Sequence, residues 1–408
     1  MADTLTTSNP VAIPAARLRR IALESQGLLK REPFGRGPNA TRRAVERLGY
    51  VQIDTISVVA RAHHHVLHSR VPNYHPDHLA KLLSDGSVFE YWYHAAAYLP
   101  MRDYRFQLPR MRDMAEFKGR WIRSRDKKLM ADVRRRIDQE GPLKARDFDN
   151  PKRGDTGWWN WKPAKRALEQ LFMQGDLMVV SREGFEKTYE LKERVLPSDT
   201  DTRMPDDEEM AAYLLRTMLR SHGFVTPKSV THLRQGQDIR SALKTVIAQR
   251  DDEGTLVRIR MPRGDIAYAD PEVLEGRAPQ APSRALLLSP FDNLVIHRDR
   301  VQSVFDFDYQ IECYLKEADR RYGYFCLPLF YRHSLVGRAD CKAHRAENRF
   351  EVKHLHVEAG DKHLDDGFLP ATADALMRFA RFNECDEVVA TRTSPGRWLA
   401  PLSRLLVA

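Results

Sequence analysis

An order of helix, helix, helix and β-hairpin that recurs along the chain predicts an α+β protein: three tandem winged-helix modules, followed by a strand-rich mixed domain. Two observations carry this expectation. The order is complete twice in the middle of the chain, and beyond about Ala285 long amphipathic helices give way to short strands joined by turns. The length of 408 residues, 42% hydrophobic and 30% charged, leaves room for about two to four domains and argues against extended disorder.

Residues 1–11, small and polar, read as a flexible tail. From Ile13 to Lys30, Leu18, Ile21, Ala22, Leu28 and Leu29 recur at near-helical spacing behind Pro14, which suits a first helical turn. Pro33, Gly35, Gly37 and Pro38 punctuate the chain, and Asn39 is placed to cap a helix running to Gly49. VQIDTISVV and HHHVLHSRV, rich in β-branched residues, read as extended; a short helix HPDHLAKLLSD follows, and VFEYWYHAAAYL stands in the place of a wing. These make a first, looser module over 12–104.

The second module, 105–200, is the clearest. IRSRDKKLMADVRRRIDQ is a helix stopped by Gly141-Pro142, LKARDFD a short helix, WKPAKRALEQLFMQ a third helix closed by Gly175, and LMVVSREGFEKTYEL a hairpin around Glu183-Gly184. The third module, 201–284, repeats the order with DEEMAAYLLRTMLRSHG, TPKSVTHLR, DIRSALKTVIAQR and a hairpin turning at Arg263-Gly264. Residues 285–408 form the strand-rich domain, with one late helix, ATADALMRFARFN.

Lys and Arg number 66 against 56 Asp and Glu, a net charge of +10 that favours a polyanionic partner without choosing among them. Cys313, Cys326, Cys341 and Cys385 show no zinc-site spacing and fit a reducing cytoplasm. No apolar run approaches a membrane span and the start lacks signal-peptide character, so a soluble cytoplasmic protein is expected. Winged helices mostly read nucleic acid, a helix entering the major groove while basic residues hold phosphates. Arg42-Arg43, Lys127-Lys128, Arg134-Arg135-Arg136 and Lys162 with Lys165-Arg166 suit that role, although each run alone also reads as a solvated helix face.

The informative segment is Gln52-Ile53-Asp54. In an extended chain positions i and i+2 project to one side, and an amide beside a carboxylate at the start of an apolar strand is costly to bury without purpose. Asp54 followed by Thr55 also reads as a cap or turn residue. His63 and His65 would face one way on a strand, as a metal pair, a DNA contact or plain packing; no third ligand is indicated. Trp158, Trp159 and Trp161 read as core more readily than as base-stacking residues.

The chain resembles the AlkZ/YcaQ-like DNA glycosylases, a bacterial family of tandem winged-helix proteins. The residues that carry the likeness are VQIDTISVVAR with Gln52 and Asp54, EYWYHAA around Trp92 and His94, GWWNWKPAKRALEQLFMQGDLMV, LLSPFDNLVIHRDR, and RYGYFCLPL with LVGRADCKAHR. Gln-x-Asp rather than Gln-x-Gln places it in the branch of YcaQ. The resemblance implies a β-barrel-like C-terminal domain and an activity in base-excision repair: excision of N7-alkylated purines and unhooking of N7-linked interstrand crosslinks in double-stranded DNA. The cation at N7 makes the base a good leaving group, so Asp54 is expected to stabilise the oxocarbenium-like sugar and orient water, with Gln52 fixing that water.

No lysine lies between Lys30 and Lys81 to form a Schiff base, so a monofunctional hydrolase without lyase activity is expected, working as a monomer without cofactor or metal. Arg61, His65, Trp92, His94 and Arg338 are carried as DNA-binding or active-site support. The rival reading is a non-catalytic winged-helix transcriptional regulator with a C-terminal sensing domain; three modules in one chain and the absence of a long heptad pattern weigh against it.

Overall fold

The computed structural model describes residues 9–116, 126–148, 161–232, 237–276, 280, 282–358, 360 and 364–407. The fold is mixed α+β and divides into two compact units, one of residues 1–74 with 211–408 and the other of 75–210. Residues 75–104 thus cluster with the second module, and residues 1–74 share a unit with residues 211–408.

In the discontinuous unit, helix Ala15–Ser25 buries Leu18, Ile21, Ala22 and Leu23. Val11–Ala12, expected to end a tail, is instead a strand that pairs in parallel with Val257–Arg260, Val11 opposite Ile259. Val257–Arg260 and Ile266–Ala269 form the expected hairpin, and Phe224–Val225 completes a four-stranded sheet. Helix Asp207–His222 precedes it, then the turn of helix Pro227–Val230, closed by a capping box between Thr226 and Ser229, and helix Asp238–Asp252. The apolar faces of the first helix, this sheet and helix Arg298–Phe305 meet in one core.

The C-terminal part of this unit is a six-stranded sheet in the order Ala285–Leu287, Cys326–Tyr331, Ser334–His344, Arg349–Val357 and Glu387–Ala390, with Thr393–Ser394 also pairing to Arg349–Val357. Pairing is antiparallel until the last two strands, which run parallel to Arg349–Val357. Helix Phe368–Phe382, the late helix of the sequence, packs Phe379 edge-on against Phe350 at 5.7 Å. Helices Arg298–Phe305 and Leu399–Val407 are elements that strand-like texture concealed.

In the inserted unit, helix Lys127–Glu140, strand Leu143–Lys144, the helical turn Ala145–Phe148, helix Trp161–Met173 and hairpin Leu177–Glu183/Glu186–Leu191 follow the expected order. Leu143–Lys144 adds to the hairpin through Glu186–Leu191. A second hairpin, Val88–Trp92/Ala96–Pro100, carries the aromatic stretch. Its Glu90, with a side chain fully enclosed, accepts two bonds from Arg182 at 2.6 and 2.7 Å and lies 3.2 Å from Lys187. Burial pushes this carboxyl up, but the two cations outweigh it and hold it below its usual range. Trp158 and Trp159, like the side chain of Trp161, lie outside the described residues.

Candidate active site

Helix Gly37–Leu48 ends at Gly49, whose φ of 81° and contact with Thr217 leave no room for a side chain. The left-handed turn sends the chain into the short strand Val51–Gln52. The strand stops there rather than running on through VQIDTISVV, because the Asp54 carboxylate accepts from the Ile56 N–H at 2.8 Å and folds the chain into an Asx turn. Of the two sequence readings of Asp54, this bond matches the turn residue; Gln52, two positions earlier, is buried.

The turn is pinned from outside itself. Asn293, inside the LLSPFDNLVI motif, donates to the Tyr50 carbonyl at 3.0 Å, two residues before Gln52. Ala343 N–H donates to Val58 O at 2.9 Å, and Asn383 accepts from Ala60 N–H at 2.6 Å and from Arg345 at 3.2 Å. Neighbouring Asp292 forms a bidentate pair with Arg70 at 2.7 and 2.9 Å, both side chains fully buried, while Arg70 also holds the Gln26 carbonyl. The carboxylate therefore sits on a scaffold made mostly by residues that follow it by more than two hundred positions.

Asn383→Leu removes two acceptor bonds and leaves the Ala60 N–H unpaired, at a cost of about 1–3 kcal/mol. We expect a lower melting midpoint together with about a tenfold slower single-turnover reaction; a destabilised protein of undiminished rate would mean that the Ala60 anchor does not position Asp54.

Asp54 is half-buried, and burial raises its carboxyl pKa, opposed by the Ile56 N–H; no cation among the described residues compensates. The Asp54 charge in turn helps to raise the pKa of both Cys313 and Tyr314, which places these two within its electrostatic reach. Tyr314 hydrogen-bonds Cys313 and is 73% exposed, an aromatic ring in solvent beside a basic carboxylate. These residues belong to the long connection 306–325, which has one helical turn, Glu317–Asp319. Glu312 clasps that connection by accepting from the N–H groups of Tyr322 and Gly323 at 2.8 and 3.1 Å.

Arg338, expected to serve in DNA binding or active-site support, is 2% exposed. Its guanidinium donates to Glu358 at 2.6 and 2.9 Å and to the Asp308 carbonyl at 2.6 Å, and lies 3.8 Å from the Tyr322 ring centroid. It is an internal brace of the 306–325 connection rather than a surface group.

HHHVLH is a helix, Ala62–His68, not a strand, so His63 and His65 do not share a face. His65 is 1% exposed, bonds the Leu287 carbonyl at 2.8 Å and stacks on Phe379 at 4.2 Å. Burial pulls its pKa down to about 4, so it is a neutral core residue and no DNA contact. His64 bonds the Tyr74 hydroxyl at 2.6 Å. Arg61, partly exposed, occupies the N-cap position of the same helix.

Trp92 and His94 lie in the inserted unit, at the end and in the turn of hairpin Val88–Trp92/Ala96–Pro100, both partly exposed. Arg110 stands 5.6 Å from the Trp92 ring and Tyr93 meets His94 edge-on at 5.7 Å. Of the basic runs, Arg134, Arg135 and Arg136 pair with Glu193, Asp132 and Glu140, and Arg42 with Glu46, which is the solvated-face arrangement. Among the described residues no three His, Cys, Asp or Glu side chains gather as metal ligands, and no helix is long and apolar enough to cross a membrane. All four cysteines are free.

A family model described as "DNA glycosylase AlkZ-like" matches residues 45–382. Among solved structures the fold is similar to that of Streptomyces sahachiroi DNA glycosylase AlkZ, with a TM-score of 0.63 at 15% sequence identity, over 93% of this chain and 100% of that one.

Proposed function

Because the chain belongs to the AlkZ-like DNA glycosylase family, and is thereby a DNA-repair hydrolase of N-glycosyl bonds, we propose that it excises N7-alkylated purines and unhooks N7-linked interstrand crosslinks as a monofunctional enzyme. The observation that carries this reading is the half-buried carboxylate of Asp54, its pKa raised by burial, two residues after Gln52 on a turn pinned from both sides. An N7-alkylated purine already carries positive charge and leaves without a strong general acid. The barrier lies at C1′, where charge develops as the bond breaks. Asp54 faces that charge and orients water for attack, its raised pKa making it the better proton acceptor, while the Gln52 amide fixes the water by donating and accepting.

Among the described residues no lysine contributes to the electrostatics of Asp54, in keeping with hydrolysis to an abasic site rather than Schiff-base chemistry. A crosslinked base cannot swing fully out of the duplex, so the carboxylate works from an open surface facing the groove. The helix–helix–helix–hairpin passes over 127–191 and 207–269 serve as winged-helix modules that hold phosphates, with a looser first module and a barrel-like C-terminal sheet. The protein acts as a monomer in the cytoplasm, on the nucleoid.

The test is incubation of the purified protein with duplexes carrying one N7-methylguanine or one nitrogen-mustard crosslink. Strand cleavage that needs alkali, without borohydride trapping of a protein–DNA adduct, is the expected result. Intact lesions on bound, sequence-selected DNA would point to a regulator. Gln52→Glu keeps an acceptor but loses the amide donor, and should slow excision by about tenfold, less than removal of the Asp54 charge; the reverse ranking would move the nucleophile-orienting role to Gln52.

A further inference from the structure

A cavity of about 590 Å³ opens where the end of helix Ala62–His68 meets the 31–36 loop, strand Ala285–Leu287 and helix Phe368–Phe382. Five guanidiniums line it, those of Arg31, Arg36, Arg284, Arg378 and Arg381, against only two carboxylates. Both carboxylates are already engaged, Glu32 by Arg36 at 2.9 Å and Asp374 by Arg378 at 3.0 Å. Arg31 and Arg381 have no acidic partner among the described residues.

Arg284 lies deepest. It is 8% exposed, donates to the Lys30 carbonyl at 2.8 Å, and its Nε is buried with no partner. Burial, with the nearby charges of Arg378 and Arg31, lowers its pKa to about 10, which still leaves it cationic at neutral pH. The Nδ1 of His68, on the cavity wall, is likewise buried without a partner. A buried cation facing like charges costs free energy unless an anion completes it. Guanidinium forks suit phosphate oxygens, and Leu286, Leu287 and Ala375 give the cavity an apolar floor that a bare ion would not use. A duplex backbone rides on a surface and does not reach a guanidinium this enclosed.

We propose that this cavity binds a small organic phosphate, its phosphate on Arg284, Arg378 and the rim arginines and its carbon skeleton on the apolar floor. The volume falls in the range of small-molecule sites, and nothing in the proposed excision chemistry uses these residues. The proposal stands whether or not lesions are excised.

The experiment is calorimetric titration of the full chain at low salt with phenyl phosphate and with inorganic phosphate. Phenyl phosphate is expected to bind at least tenfold more tightly than inorganic phosphate, and the double variant Arg31→Gln/Arg381→Gln, altered only at exposed positions, to lose at least tenfold of that affinity with duplex affinity unchanged. Arg284→Met should abolish binding; its melting curve tests whether it folds, and if it does not the rim variant decides. No binding of phenyl phosphate, or binding undiminished in the rim variant, overturns the proposal. So does a rim variant that loses affinity for duplex instead, which would make the cluster a contact for the DNA backbone.

Discussion

Asp54→Asn lowers the rate of lesion excision by about 10²- to 10³-fold and leaves a folded protein that still binds duplex DNA. The amide keeps an oxygen to accept the Ile56 N–H, so the Asx turn survives and only the charge is lost. The sign of the accompanying stability change follows from burial. Since the folded protein raises the Asp54 pKa, it holds that proton more tightly than the unfolded chain does. Ionisation of Asp54 therefore works against folding as pH rises from the unfolded value of about 3.9 through the higher folded one. Wild type loses stability across that window and the asparagine variant does not, so at neutral pH the variant should be at least as resistant to urea.

Activity follows the opposite course, because the ionised form is the working one: the acid limb of the rate profile should lie above the ordinary aspartate range. A variant less stable than wild type at pH 7, or an acid limb no higher than that of a free aspartate, would remove the desolvated carboxylate from the mechanism.

The second large effect belongs to Arg338. Arg338→Met breaks a pair with Glu358, together with the bond to the Asp308 carbonyl and the close contact with Tyr322 that hold the connection bringing Tyr314 and Cys313 near Asp54. Glu358 is partly exposed, so its loss of partner is cushioned by water and the cost stays at about 2–3 kcal/mol, a fall of about 5 °C in melting midpoint. Catalysis should suffer more than binding, with kcat down at least tenfold and duplex affinity little changed. Arg338→Lys restores little, since an ammonium cannot span both acceptors and cover the ring. A lowered midpoint with kcat intact would show that the connection has no part in the chemistry.

Hydrophobic period made the long helices legible: 127–140, 161–173, 207–222 and 238–252 are where apolar spacing puts them, and glycines at 141 and 175 end two of them. The histidine run was misread because β-branched neighbours on both sides suggest a strand, while the local hydrogen bonding and the packing of His65 on Phe379 favour a helix. Gln52 and Asp54 were legible as an unusual polar pair. Asn293, Ala343 and Asn383 were not, since nothing local announces that residues 243 to 323 positions away hold Tyr50 and Ala60. Between the two roles expected of Arg338, DNA binding and active-site support, the sequence could not choose, since it displays charge but not whether a carboxylate and three rings enclose it.

The division of the chain has a consequence for synthesis. Residues 75–210 emerge from the ribosome whole and can collapse on their own contacts, whereas residues 9–74 wait for a partner that is not yet made. The strand Val11–Ala12 lacks Val257–Arg260, Arg70 lacks Asp292, and the Asp54 turn lacks Asn383, until those later residues have been made. A nascent chain released before Asn383 would carry the inserted unit and the Gln-x-Asp segment without the scaffold that holds its carboxylate in place, so the carboxylate is set in its working position only after residue 383 has left the tunnel.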